Sequence, residues 1–217
     1  MQPQPTIAAF DFDGTLTWCD TLLPFLRRAV GRTAFWRGLT LLMPILIDFR
    51  RGRISNTETK ETVISHFLDG MDVSRLRDVA HGFAADGIPP LLRSRALATL
   101  AWHQDQGHRI ILISASPEIY LRAWAETRGI DAVIGTRLAR VDGRVTGRLD
   151  GANCYGAEKV RRLREVAGDL TGVRVYAYGD SAGDRELLAT ATESRYRAFH
   201  HAGDPIVATS KFLRSLA

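Results

Sequence analysis

The sequence predicts an α/β protein, a doubly wound parallel sheet with a helical subdomain inserted after its first strand. Short apolar runs alternate with helical segments through most of the chain, the pattern of βαβ units. The stretch 18–87 breaks that alternation, carrying helical patterns and no convincing strand. Acids and a hydroxyl cluster at the ends of three apolar runs, where open parallel sheets place their ligands.

Taken in order, the expected strands are Ile7–Phe12, Arg109–Ser114, Ala132–Gly135 and Val173–Gly179. Each is a short apolar run, as expected of strands buried on both faces. Between them, Leu91–Gln106 is rich in Leu and Ala and reads as a helix. Pro117–Arg128 opens with proline at a favoured first-turn position and is stopped by Gly129. Ala157–Ala167 and Gly183–Ala191 supply two further helices. Val141–Val145 reads as a small hairpin turning on Asp142-Gly143. Ser194–Phe199 is expected as an edge strand and Ile206–Leu216 as a closing helix. Within the insertion the helices are Leu22–Val30, Phe35–Phe49, Asn56–Leu68 and Val73–Ala85. The core is thus expected over 1–17 and 88–217, with boundaries near Trp18 and at Gly87-Ile88-Pro89-Pro90, whose prolines break any continuing helix.

The bulk composition is that of a globular protein, with 217 residues, 45% hydrophobic and 24% charged. Two cysteines, Cys19 and Cys154, make no disulfide framework, and the opening Met-Gln-Pro-Gln-Pro lacks signal-peptide character. Both point to a cytoplasmic protein. The two cysteines and Trp102 and Trp124 read as packing residues, and the six histidines show no metal-ligand spacing. The net charge of +5 is concentrated, because seven arginines between Arg27 and Arg53 face the single acid Asp48. An anionic substrate, an anionic membrane surface, or nothing but water are the three partners open to that segment. Nucleic acid does not suit it, since no reading module or extended basic stripe accompanies it.

The chemistry begins at Asp11-Phe12-Asp13-Gly14-Thr15, directly after the apolar run Ile7–Phe10. Two carboxylates that close repel each other unless a cation or a shared proton compensates, and a hard ion such as Mg²⁺ with oxygen ligands does so most simply. A calcium loop would need Gly and Glu where Leu16 and Leu22 stand. Ser114 ends the second strand before a helix, a favourable phosphate cradle, while Ser116 before Pro117 reads as a structural N-cap. Asp180 and Asp184 follow the strand Val173–Gly179, and Lys159 opens a helix.

This ordered set resembles the haloacid dehalogenase-like hydrolases, specifically their phosphoserine phosphatase-like branch. Asp11-Phe12-Asp13-Gly14-Thr15, Ser114, Lys159 and Gly179-Asp180-Ser181-x-x-Asp184 match the four motifs in order, and the insertion matches the family's cap. The resemblance implies a Rossmann-like core and a Mg²⁺-dependent phosphatase in which Asp11 becomes an aspartyl phosphate. Asp13 would serve as acid and then base, and Ser114 and Lys159 would hold phosphoryl oxygens. The metal would lie between Asp11, the Asp13 carbonyl and Asp180, with Asp184 completing or orienting its shell. Asp13 itself separates phosphatases from the dehalogenase relatives, which lack it.

For the substrate, the resemblance places Asp20 and Lys60 where phosphoserine-cleaving members use Glu and Arg, with Ala115 beside Ser114. The expected substrate is a small phosphorylated metabolite of the phosphoserine kind. A lipid phosphate is the alternative, and a phosphomutase a further one. Leu39–Ile47 is unusually apolar and leads into Arg50-Arg51-Gly52-Arg53, similar to the Pro-broken cap of bacterial phosphatidylglycerophosphate phosphatases. That run is too short to span a bilayer, which takes about 20 apolar residues. Two readings of it stay open. It packs against its neighbours, or it lies peripherally on the inner face of an anionic membrane.

Overall fold

The computed structural model describes residues 4–200. Five strands form one parallel sheet in the order β3-β2-β1-β6-β7. They are β1 (Thr6–Phe10), β2 (Arg109–Pro117), β3 (Ala132–Thr136), β6 (Arg174–Gly179) and β7 (Glu193–Tyr196). From β1 the chain builds outward through β2 and β3, then crosses to the other side of β1 for β6 and β7. That reversal opens a crevice at the carboxyl ends of β1, β2 and β6.

Side-chain alternation along the central strands makes two separate cores. Ala8, Phe10, Ile110 and Leu112 face one layer, which holds Phe25, Leu26, Leu100, Tyr120 and Trp124. Ile7, Ala9, Ile111, Ile113 and Ala177 face the other, where α7 (Ala157–Ala167) and α8 (Arg185–Thr190) bring Val160, Leu163 and Leu187. Both faces are covered, which is why these strands read as continuous apolar runs.

Several boundaries move for identifiable reasons. Helix α5 covers Ser94–Asp105 and not Leu91–Gln106, because Pro89–Leu91 forms a short 3₁₀ turn and Leu92 is extended. Helix α6 covers Glu118–Ala125, since Pro117 is still extended at the end of β2. β7 stops at Tyr196, where Arg197 turns the chain at φ 53°. The helix expected over Ile206–Leu216 lies outside the described residues.

Residues 18–87 hold four helices: α1 (Leu22–Val30), α2 (Arg32–Arg50), α3 (Asn56–Leu68) and α4 (Val73–Gly82). Helix α2 is longer than expected and continues through Pro44. Helix α3 starts cleanly because Ser55 and Glu58 form a reciprocal capping box. The hairpin is also longer than expected, with β4 (Leu138–Val141) and β5 (Arg144–Leu149) turning on Asp142 and Gly143, both at positive φ. Its backbone is bonded into the helical segment. Gly70 N–H donates to Val145 O at 2.8 Å, Val145 N–H to Met71 O at 2.9 Å, and Val73 N–H to Gly143 O at 2.8 Å.

Candidate active site

Asp11 is the first residue beyond β1, and its N–H donates to Tyr178 O at 2.9 Å. The chain then turns sharply, with Gly14 at φ 77°. A Cβ on Gly14 would come within 2.4 Å of the Asp180 carboxylate, so only glycine fits here. Asp180 follows β6, and Asp184 closes the next turn with Oδ2 accepting from Asp180 N (3.1 Å), Ser181 N (3.0 Å) and Ser181 Oγ (2.8 Å).

Asp11, Asp180 and Asp184 are all buried, and each offers an oxygen within 4.8 Å of the others. Lys159, buried in the first turn of α7, donates to Asp11 Oδ1 at 2.7 Å and to Asp184 Oδ1 at 2.6 Å. Burial, then the neighbouring Asp184 charge, pushes Asp11 well above the usual carboxyl range, against the pull of Lys159. Asp184 is desolvated too, yet Lys159 and the Ser181 donors hold it below its ordinary value. Burial opposes the Lys159 charge, but Asp11 and Asp184 together raise its pKa. Lys159 supplies one ammonium among three carboxylates, with His200 Nε2 3.6 Å from Asp180 Oδ2, and a divalent cation fits that crowding of acids and that all-oxygen donor set. Thr15 Oγ1, two residues past Asp13, is buried with no hydrogen-bond partner among the described residues, and its hydroxyl suits an oxygen-rich group.

Asp13 is held apart from that cluster. Its Oδ1 accepts from Thr21 N (3.0 Å) and Thr21 Oγ1 (2.6 Å), and its Oδ2 accepts from Ser116 Oγ. Tyr120 OH lies 3.0 Å from Thr21 Oγ1. Burial raises the Asp13 pKa, and the Ser116 and Thr21 hydrogen bonds oppose the rise. Ser116 is therefore not the N-cap expected of it, because the helix starts beyond Pro117 and its hydroxyl is turned inward. Ser114 Oγ accepts from Ser116 N at 3.2 Å, which leaves its own proton to donate. Thr15, Thr21, Tyr120 and Asn153 carried no site expectation. Only Thr15, inside the motif, had a local signal.

Lys60 reaches in from α3, buried, and donates to Ala115 O (3.0 Å) and Asn153 Oδ1 (3.2 Å). Asp20 is buried as well and accepts from Leu22 N at 2.8 Å. Burial, reinforced by Asp13, pushes Asp20 up to about 8, with Lys60 opposing. Burial brings Lys60 down to about 8, with Asp20 opposing. The structure thus brings all the sequence-selected residues to the crevice: Asp11, Asp13, Ser114, Ala115, Lys159, Asp180 and Asp184 from the sheet side, Asp20 and Lys60 from the helical segment. A separate cleft of about 340 Å³, bounded by Leu76, Arg77, Ile119, Arg122 and Leu138, includes none of them. Cys19, Cys154 and Trp124 are buried as packing residues, whereas Trp102 is half-exposed at 46%.

A model of the haloacid dehalogenase-like hydrolases matches residues 8–189. The chain belongs to that family. It is a hydrolase. Protein CicA of Caulobacter vibrioides is 42% identical over 205 residues, spanning 92% of this chain and 89% of that protein. A phosphoserine phosphatase of Halobacterium salinarum is 29% identical over 191 residues, 86% and 82% of the two chains. A solved phosphoserine phosphatase bearing a phospho-aspartyl intermediate analogue has the same fold, with a TM-score of 0.60 at 20% identity over 87% of this chain and 84% of that one.

Proposed function

We propose that the protein is a Mg²⁺-dependent phosphomonoesterase working through an aspartyl phosphate on Asp11. The observation that carries this reading is the buried trio Asp11, Asp180 and Asp184 with Lys159 bonded to two of them. Bound there, Mg²⁺ would neutralise charge on the transferring phosphoryl group. The Asp11, Asp180 and Asp184 side chains would hold it, together with the Asp13 carbonyl; the Asp13 carboxylate belongs to the proton chemistry.

Asp11 attacks phosphorus with the oxygen not held by Lys159 and forms the covalent phosphoenzyme. Lys159 and the Ser114 hydroxyl steady the non-bridging oxygens. Asp13, whose pKa burial raises, carries a proton to the leaving alkoxide, then accepts one from the water that cleaves the acyl phosphate. Thr21 and Ser116 fix its carboxyl for both steps. Residues 18–87 act as a cap that closes over the crevice, contributing Asp20 and Lys60.

Those two residues support a small substrate with charged groups beside its phosphate, as in phosphoserine. Asp20 suits an ammonium and Lys60 a carboxylate. The similarity to the Halobacterium enzyme supports the same class. The test is inorganic phosphate release with Mg²⁺ from phosphoserine, simple phosphomonoesters, sugar phosphates and phosphatidylglycerophosphate. Phosphoserine should be preferred, and Asp11→Asn should abolish release. Release surviving in Asp11→Asn refutes the mechanism; sugar phosphate isomerised without free phosphate indicates a mutase.

A further inference from the structure

Four of the eight large hydrophobic side chains exposed among the described residues sit on one helix. They are Trp36 (51%), Leu41 (71%), Met43 (43%) and Ile47 (40%), all on α2. The adjoining side of α2 packs inward through Phe35, Gly38, Leu42 and Leu46, and Leu41 is exposed on the far flank. At 100° per residue, Trp36, Met43 and Ile47 fall within an arc of about 40°, and Arg32 and Arg50 extend the same stripe at its two ends to about 60°. The helix therefore presents a narrow apolar seam closed at each end by a guanidinium. Arg28 and Arg53 are engaged, by Asp86 and Asp48 respectively. Arg32, Arg37, Arg50 and Arg51 meet no carboxylate among the described residues.

We infer that this face of α2 docks on an anionic lipid surface, with the helix lying in the plane of the headgroups. The apolar seam would enter the acyl boundary, while the arginines at its ends and flanks reach lipid phosphates. No helix among the described residues is long and apolar enough to cross a membrane, so the contact is peripheral. Charge complementarity selects this occupant over two others. A second copy of the chain laid seam to seam would oppose arginines to arginines, and the segment's one acid, Asp48, is already tied to Arg53. A nucleic acid would set its phosphates against the apolar seam between the guanidiniums. The inference concerns where the enzyme sits and is independent of the reaction assigned to Asp11.

The experiment is co-sedimentation of the full chain with vesicles of phosphatidylcholine alone and of phosphatidylcholine with phosphatidylglycerol, alongside tryptophan emission. The protein should pellet with the anionic vesicles only, release with rising salt, and show a blue shift that disappears in Trp36→Phe. Arg50→Glu/Arg51→Glu and Met43→Glu/Ile47→Glu should each weaken vesicle binding at least about tenfold. Both variants should keep phosphate release from a soluble ester, which shows that they fold. The inference is overturned if neither vesicle binds, if binding ignores lipid charge, or if it survives both double variants. It is equally overturned if Met43→Glu/Ile47→Glu converts a dimer to a monomer, because the seam then joins two copies of the chain.

Discussion

Replacing Lys159 by Met removes the only ammonium bonded to the acidic trio among the described residues and leaves a side chain of similar volume. Lys159 lies 2.7 Å from Asp11 and 2.6 Å from Asp184 with all three side chains buried, so both contacts act in a poorly screened site. At an effective dielectric of 20 and charge centres roughly 4 Å apart, each pair is worth about 4 kcal/mol. Desolvating the ammonium offsets several kcal/mol of that total, leaving about 3–5 kcal/mol as the expected loss of stability. The loss has a distinctive dependence on metal. Without Lys159 the trio loses its ammonium, so Mg²⁺ should restore more stability to the variant than it adds to the wild type. Urea unfolding with EDTA and with saturating Mg²⁺ measures both terms. Phosphate release should fall by about 10²–10³, because the variant lacks a donor to the developing phosphoryl charge. A variant as stable as the wild type in EDTA, or one that gains no more from Mg²⁺, would refute the crowding of acids inferred for this site.

Three further outcomes are expected. Gly14→Ala places a Cβ 2.4 Å from Asp180 on a backbone at φ 77°, and should reduce phosphate release at least about 100-fold while circular dichroism stays native. Ser116→Ala removes a donor that holds the Asp13 pKa down, so the alkaline fall of the rate profile should move up by about one unit. An unmoved alkaline limb would separate Ser116 from the proton chemistry. His103 is buried between Tyr178 and His108, and burial and then His108 lower its pKa to about 4. The unfolded chain therefore takes up the proton first as pH falls below about 6.5. Stability should be full at pH 7 and lower by about 2 kcal/mol at pH 5, a loss that His103→Phe should flatten in urea midpoints.

The sheet was legible because each central strand is apolar on both faces and each ends in an acid, a hydroxyl or a glycine. Asp11, Ser114 and Asp180 could be set at one crevice by that rule, since strand ends in a parallel sheet share an edge. The network around Asp13 was not legible. Thr21, Ser116 and Tyr120 meet it across separations of up to about a hundred residues, and such side-chain contacts leave no periodic trace. Ser116 misled for a physical reason, because Ser before Pro is also the signature of a helix start. Helix α2 carries both buried and exposed apolar side chains. Phe35, Leu42 and Leu46 pack inward, while Trp36, Leu41, Met43 and Ile47 do not.

The hairpin β4–β5 has a consequence for how residues 18–87 can be exchanged or moved. It is encoded more than 50 residues downstream of α4, yet Gly70, Met71 and Val73 share backbone hydrogen bonds with Gly143 and Val145. Splicing a different helical segment between Trp18 and Gly87 would strand those donors and acceptors unless the hairpin travelled with it. The amides of Gly70, Val73 and Val145 should accordingly exchange with deuterium as one cooperative unit, at a rate separate from that of the central strands. Any hinge that opens the crevice must then include the two ends of the hairpin, at Arg137 and Asp150, besides the chain crossings at Trp18 and Gly87.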